Sequence, residues 1–340
     1  MLPDGRSPPA TPPVRTAPPV VNNAPASNAA AQPSSGNERD FLSPFLEDFS
    51  AFQRGSVLDR VPKGSRAPAA AALNNVIKSV CESSSPDDWR KLFRFSSLCF
   101  KKPKRGGKRQ PSLASTVNRQ IDAFIRDPFC ALETSKHAQK KQQSCDEDLR
   151  AKLVARKLAN SDIKGAVRIL SSDDLILPFD SDTLSQLRSK HPAPHPDTRF
   201  PNPPDAEEVA SALQLTESQV QKAIQSFPGG SEGGYDLLLS QHLKDLTSKQ
   251  CGEPGVRLLS SITLLCNKML RGEILEEMLP FLFGASLIAF SKPNGGIRPI
   301  AIGNTLRRLT AKAAANVYRA ACKSKLFPHQ LGVAVSGGGG

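Results

Sequence analysis

The sequence has little of what marks several common protein classes. Aromatic residues make up only 6% of the 340 residues. The seven cysteines include no C-x-x-C pair, which argues against a zinc finger and against the disulfide framework of a small secreted protein. The longest apolar run, residues 278–290, contains a proline and a glycine and is too short to span a bilayer. The N-terminus has no apolar signal segment. We therefore predict an intracellular protein, nuclear or cytoplasmic, that is not secreted and has no membrane partner.

Acidic residues are missing from the last part of the chain, since none follows Glu277. The whole sequence has 45 Lys and Arg against 32 Asp and Glu, which gives a formal net charge of +13. Such a charge favours an anionic partner such as nucleic acid. Charge alone is equally consistent with an ordinary basic soluble protein, so it does not by itself identify a nucleic-acid-binding protein.

Composition and periodicity divide the chain into five segments. Residues 1–40 contain nine prolines and no aromatic residue, and we predict a disordered tail because such a segment buries too little apolar area to offset its ordering entropy. Residues 41–100 have a weak helical pattern. Residues 101–111 form a basic linker, which suits phosphate neutralisation, a nuclear import signal or a plain solvated connection. Residues 112–200 are predicted to be a helical lead-in to the last segment, residues 205–340.

A β-hairpin is predicted around Lys-Pro-Asn-Gly-Gly, residues 292–296, which two short apolar runs flank. Asn-Gly-Gly readily takes the positive φ angles of a tight reversal. Pro299 has no N–H to donate, so its strand is expected at a sheet edge. Lys292 and Arg298 stand on either side of the turn. Two cations in this position suit a polyphosphate better than an apolar partner.

These motifs resemble those of the reverse transcriptases of non-LTR retrotransposons. The family's hairpin pattern L-I-x-x-x-K-x-x-G-G-x-R-P-I is matched from Leu287 to Ile300, and its P-x-Q-x-G-x signature from Pro328 to Val333. The resemblance implies a mainly α fold with a small β-hairpin (α+β). It corresponds to the fingers portion of an incomplete right-hand polymerase fold, behind the disordered tail and truncated before the palm.

The resemblance also implies roles for single residues. Arg298 would contact the triphosphate of the incoming nucleotide, with Lys292 as a secondary contact. Gln330 and Gly332 of the signature would lie on the template side. The family activity is RNA-directed DNA synthesis, for which palm carboxylates hold two Mg²⁺ ions. Those palm motifs are not in this sequence, so we expect no catalytic residue, metal site or cofactor in this chain, and no activity from it alone.

A glycine-rich loop before the hairpin departs from the family pattern. Where relatives carry Pro-Asp-Gly, this chain has Tyr235-Asp236-Leu237. Replacing that glycine removes backbone freedom. We therefore expect an impaired loop, as in a decaying copy of an element.

The helix predicted from Asn304 to Lys325 has one strongly basic side. At about 100° per residue, four of its cations fall within about 60° of one another, away from the apolar stripe. Solvated helix faces normally mix charge signs through i,i+4 pairs, and this helix has no acid. We predict a face that binds the backbone of an RNA and DNA template–primer, with a merely solvated face as the alternative. Its predicted contacts are Arg307, Arg308, Lys312, Arg319 and Lys323.

Three functional interpretations remain open at this point. The first is a fragment of a retrotransposon-type RNA-directed DNA polymerase whose fingers portion contacts template–primer and nucleotide phosphates. The second is a non-catalytic RNA- or DNA-binding protein derived from a retroelement. The third is a non-functional gene fragment that never folds stably, and the four glycines at 337–340 are consistent with an artificial boundary.

Overall fold

The computed structural model describes residues 37–329, and its main compact unit begins at Ser43. Most of the predicted tail and of the basic linker lie outside the described residues, as do Gln330 and Gly332. Within this range the description omits residues 53–54, 84, 104–110, 133–145, 160–161, 172–175, 179, 192–212 and 293–294.

The described residues are mainly helical and include one small antiparallel sheet, which confirms the coarse fold class. None of their helices combines the length and apolarity that crossing a membrane requires. In chain order the elements are α1 (Asn37–Phe52), α2 (Arg66–Glu82), α3 (Pro86–Cys99), α4 (Leu113–Arg126), α5 (Asp146–Ala159), α6 (Ile163–Ser171), α7 (Ser181–Ser189), α8 (Glu217–Gln225), α9 (Ser240–Leu246), α10 (Glu253–Leu270), α11 (Leu279–Phe283), β1 (Ala285–Ser291), β2 (Ile297–Gly303) and α12 (Thr305–Leu326).

Helix α10 lies at the centre of the core. It packs along α2 and also contacts α8 and α12. Leu258 and Ile262 of α10 and Leu73 and Ile77 of α2 are fully buried. Residues from 41–100 and from 205–340, which the sequence separates by more than a hundred positions, therefore share one hydrophobic core.

Buried polar contacts join the segment before α2 to helix α9. Asp245 accepts a hydrogen bond from the Val61 backbone N–H at 2.9 Å, and it forms an ion pair with Arg66 Nη2 at 2.9 Å. His242 Nε2 donates to the Leu58 carbonyl at 2.6 Å. Burial lowers the pKa of His242 to about 4, so the ring is neutral at pH 7. These bonds fix residues 58–66 against α9.

An aromatic cluster anchors the glycine-rich loop. The ring centroid of Tyr235 lies 4.2 Å from that of Phe49 in α1 and 5.9 Å from that of Phe93 in α3. Phe281 of α11 lies 5.4 Å from Phe49. Tyr235 is thus a packed residue, although the family pattern has proline at this position.

The hairpin forms as predicted. β1 and β2 pair antiparallel with Ala289 opposite Pro299. Gly295 and Gly296 take φ angles of +80° and +78° in the turn. The Leu177 N–H donates to the Ala289 carbonyl at 2.9 Å on the other side of β1, so β2 is the edge strand, as Pro299 indicates.

One face of this sheet is covered by the lead-in. Ala289 and Ile297 are buried in a small cluster with Leu187 of α7. Because successive side chains in a strand point to opposite faces, Arg298 lies on the other face.

Candidate nucleic-acid interface

The interface begins at the first turn of α12, where Asn304 is the N-cap. Its Oδ1 accepts from the backbone N–H of Leu306 at 2.9 Å and of Arg307 at 3.3 Å. Its Nδ2 donates to Asp236 Oδ2 at 2.8 Å. The hydroxyl of Thr305 donates to the carbonyl of Leu238. The glycine-rich loop and the basic helix are therefore bonded to each other at a buried junction.

Asp236 is buried within this junction, with 1% of its surface exposed. Burial raises the pKa of its carboxyl to about 7, while the hydrogen bonds from Leu238 and Asn304 and the nearby Arg308 oppose that rise. The carboxyl is therefore close to half-protonated at neutral pH. Its contacts are with backbone and cap, which gives it a structural role.

The loop approaches the helix so closely that one glycine is required. A Cβ on Gly234 would lie 2.8 Å from the Cα of Asn304, which is too close for two carbon atoms. Leu237 has a φ of +59°, in the left-handed region that favours glycine. Leu237 thus has a conformation for which glycine is suited, and leucine adopts it at an energetic cost.

The first two cations of α12 contact other groups of the protein. Arg308 is half-buried, and its Nη2 donates to the carbonyl of Glu232 and, at 3.1 Å, to Thr305 Oγ1. Burial lowers the pKa of Arg308, with Asp236 and Glu232 acting in the opposite direction. The guanidinium of Arg307 lies 5.6 Å from the ring centroid of Phe283. Both arginines thus contact segments next to the start of α12.

Further along α12, cations line a groove between α8 and α12. The groove has a volume of about 510 Å³. Lys312 Nζ lies 5.3 Å above the ring centroid of Phe227, and Arg319 Nη2 donates to Asn316 Oδ1 at 3.2 Å. No carboxylate is among the described side chains that line the groove. Those side chains are Gln219, Lys222, Ser226, Lys312, Ala313, Asn316, Val317 and Arg319.

The structure adds Lys222 to the residues predicted from the sequence. Thr216 and Gln219 form the capping box that starts α8, and Val220 and Ile224 face the core. Lys222 occupies the polar side of this amphipathic helix. The sequence around Lys222 does not distinguish it from a lysine on a solvated helix face. Only the packing of α8 beside α12 makes it part of a basic surface.

The other predicted cations lie outside the groove. Lys323 is exposed in the last turns of α12 and Lys292 is exposed at the hairpin turn. Arg298 is exposed on β2, opposite Phe290 of β1.

No three His, Cys, Asp or Glu side chains of the described residues are grouped in a way that could hold a metal ion. The described residues instead offer cations and amides, which suit phosphate oxygens. No family model, curated protein or solved structure matches this chain.

Proposed function

We propose that this chain binds the sugar–phosphate backbone of a nucleic-acid template–primer. It would do so as the fingers portion of an RNA-directed DNA polymerase of the non-LTR retrotransposon type. The observation that carries the proposal is the groove between α8 and α12, with Lys222, Lys312 and Arg319 and no lining carboxylate. Cations concentrated in this way bind phosphates and release condensed counterions.

The hairpin supports the same proposal from a second place. Lys292 and Arg298 are both exposed, one at the turn and one on the edge strand. We infer that Arg298 contacts the triphosphate of an incoming nucleotide, because a guanidinium forms bidentate, charge-assisted hydrogen bonds to phosphate oxygens.

Polymerisation is not proposed for these 340 residues by themselves. Nucleotidyl transfer on this plan needs carboxylates that hold two metal ions at the growing 3′ end. The sequence has no Asp or Glu after Glu277. The side chain of Asp236, near the start of α12, lies in a buried junction, where it accepts hydrogen bonds from Asn304 and Leu238.

A non-catalytic RNA- or DNA-binding protein derived from a retroelement is the second candidate. The shared core of α2 and α10 and the buried ties to Asp245 favour it, because they stabilise the basic surface without any palm. The same packing speaks against a product that never folds.

The test is binding of the full chain to a DNA primer annealed to an RNA template across a salt series. A variant with Lys312, Arg319 and Lys323 changed to Ala is compared with wild type. The matched control changes three exposed cations elsewhere, Lys78, Lys164 and Arg257, to Ala. We expect the slope of log K against log salt to become shallower by about 2 in the first variant, at roughly 0.7–0.9 per lost phosphate contact, and to stay near wild type in the control. Equal losses in both variants would contradict the proposal.

A further inference from the structure

A third helix contributes a cation next to the groove. Lys244 of α9 is partly buried, and its Nζ donates to the carbonyl of Phe227 at 2.6 Å. The ring of the same Phe227 lies beneath Lys312. Burial lowers the pKa of Lys244, and the positive charges of Arg60 and Lys312 lower it further. The Val61 N–H donates to Asp245 at 2.9 Å, so the residue after Arg60 is bonded to the residue after Lys244, and the two cations lie on neighbouring segments.

The carboxylates nearest in sequence to these cations have other partners. Asp59 pairs with Lys102 at 3.5 Å and with Arg156 at 3.4 Å. Asp245 pairs with Arg66. Glu217, in the first turn of α8, accepts from the hydroxyl of Ser260 at 2.6 Å. None of these three acids thus forms an ion pair with Arg60, Lys222, Lys244 or Lys312.

We propose that Lys244 and Arg60 join Lys222 of the groove in one continuous track for a single strand of nucleic acid. The ligand class is a phosphodiester backbone, and the track runs from α12 across α8 and α9 to the segment before α2. This inference rests on the proposed function and deepens it. It assigns part of the binding surface to residues upstream of every motif that carries the family resemblance.

The dimensions and lining of the groove favour one strand bound through its backbone. A cleft of about 510 Å³ has room for the backbone of one strand, such as the unpaired template strand of a template–primer. Proteins that bind the bases of a single strand without sequence preference stack those bases on exposed aromatic rings. The ring of Phe227, which lies under Lys312, is 8% exposed, and Tyr318, which is 51% exposed on α12, is not among the residues that line the groove. Binding should therefore depend little on base identity.

The test uses the full chain and labelled single-stranded RNA of about 12 nucleotides, within the usual range of site sizes. Oligo-U and oligo-A are compared for wild type, Lys222→Ala, Arg60→Ala and the control Lys78→Ala, which removes an exposed lysine of α2. We expect Lys222→Ala and Arg60→Ala each to weaken binding about threefold or more at low salt and to reduce the salt slope by about 0.7. The effect should be equal for both oligonucleotides, and Lys78→Ala should bind like wild type.

Three outcomes overturn the track, and they differ from failure of the proposed function. If Lys222→Ala and Arg60→Ala bind like wild type while the variant at Lys312, Arg319 and Lys323 is weakened, the track is wrong and the interface on α12 stands. If a duplex RNA or a poly-glutamate peptide binds as tightly as the single strand with the same dependence on Lys222, the assignment to a single strand is wrong. If no variant changes binding, both proposals fall.

Discussion

Among the described residues, Leu237 is the one non-glycine residue with a positive φ. Its φ of +59° places it in the left-handed region, which costs a residue with a Cβ roughly 1–2 kcal/mol. The neighbouring contacts hold it there, since Tyr235 packs in the aromatic cluster and Asp236 is bonded to Asn304. The loop is therefore strained at one position and anchored by the two residues that precede it.

Comparing Gly with Ala at position 237 tests this strain. Both Leu237→Gly and Leu237→Ala remove the same side-chain contacts, so their difference reports the backbone. We expect Leu237→Gly to be more stable than Leu237→Ala by about 1 kcal/mol in urea unfolding, because Ala keeps the Cβ penalty. The control is Leu184, exposed in α7, where Ala should be more stable than Gly by about 1 kcal/mol. The same sign at both positions would show that Leu237 is not held in the left-handed region.

Asp236 makes the stability of the fold depend on pH in an unusual direction. The pKa of its carboxyl is about 7 in the folded chain against an ordinary value of 3.8. Between these two values the folded state holds a proton that the unfolded state has lost. The contribution of Asp236 is thus fully present below pH 3.8 and is lost as the pH rises through 7.

Asp236→Asn should remove that dependence. Relative to wild type, the variant should gain on the order of 2–3 kcal/mol in free energy of unfolding between pH 5 and pH 8, from about 1.4 kcal/mol per pKa unit. The measurement is urea unfolding of both proteins at several pH values. His242, whose pKa is lowered to about 4, contributes in the opposite direction, but it is present in both proteins and cancels. A constant difference across this range would mean that Asp236 titrates normally.

At the scale of elements, the start of α12 organises the interface. Asn304 caps the helix, binds Asp236 and is completely buried. Thr305 and Arg308 bond the same turn to the loop at Leu238 and Glu232. The direction of the basic helix is therefore set by contacts at its N-terminal end.

Asn304→Ala should destabilise the fold by about 2–4 kcal/mol. The loss combines an N-cap, about 1 kcal/mol, with an Asp236 oxygen left without its donor, about 1–3 kcal/mol. Asn316→Ala, on the same helix but at the groove, should change stability by less than about 0.5 kcal/mol. Thermal and urea unfolding measure both variants, and similar losses in the two would argue against the cap as the organising contact.

On the scale of the whole molecule, residues 205–340 depend on residues far upstream. The face of α10 that α2 covers carries core residues, and the ion pair of Asp245 reaches Arg66. Removing the upstream helices would expose this apolar face and leave a buried carboxylate without its cation, which costs several kcal/mol.

A fragment of residues 205–340 should therefore not unfold cooperatively, whereas residues 43–340 should. Urea unfolding followed by far-ultraviolet circular dichroism and by the exposure of apolar surface to a dye would measure this. For 43–340 we expect coincident transitions, and for 205–340 a broad change with dye binding in the absence of urea. A single sharp transition in the shorter fragment would show that it folds independently.

Local features of the fold were accessible from the sequence because they depend on near neighbours. The capping box of α8, the cap Asp180 of α7, the helix that begins after Asn304 and the hairpin with its edge strand all follow from residues a few positions apart. The position of Leu237 was also marked, since a missing glycine is visible in the sequence. That Leu237 adopts the conformation suited to glycine depends on the loop's packing.

The sequence by itself determined the charge of this protein, its helices and hairpin, and the resemblance that suggests a polymerase fingers portion. Only the tertiary structure decided which cations stand together. It turned Arg308 inward to Glu232, placed Lys222 and Lys312 on one groove, and bonded the segment of Arg60 to α9, which carries Lys244. The physical reason is that periodicity reports which side of a helix is polar, whereas the neighbours of that side come from chain segments as far as 184 residues away, whose contacts arise when the core closes.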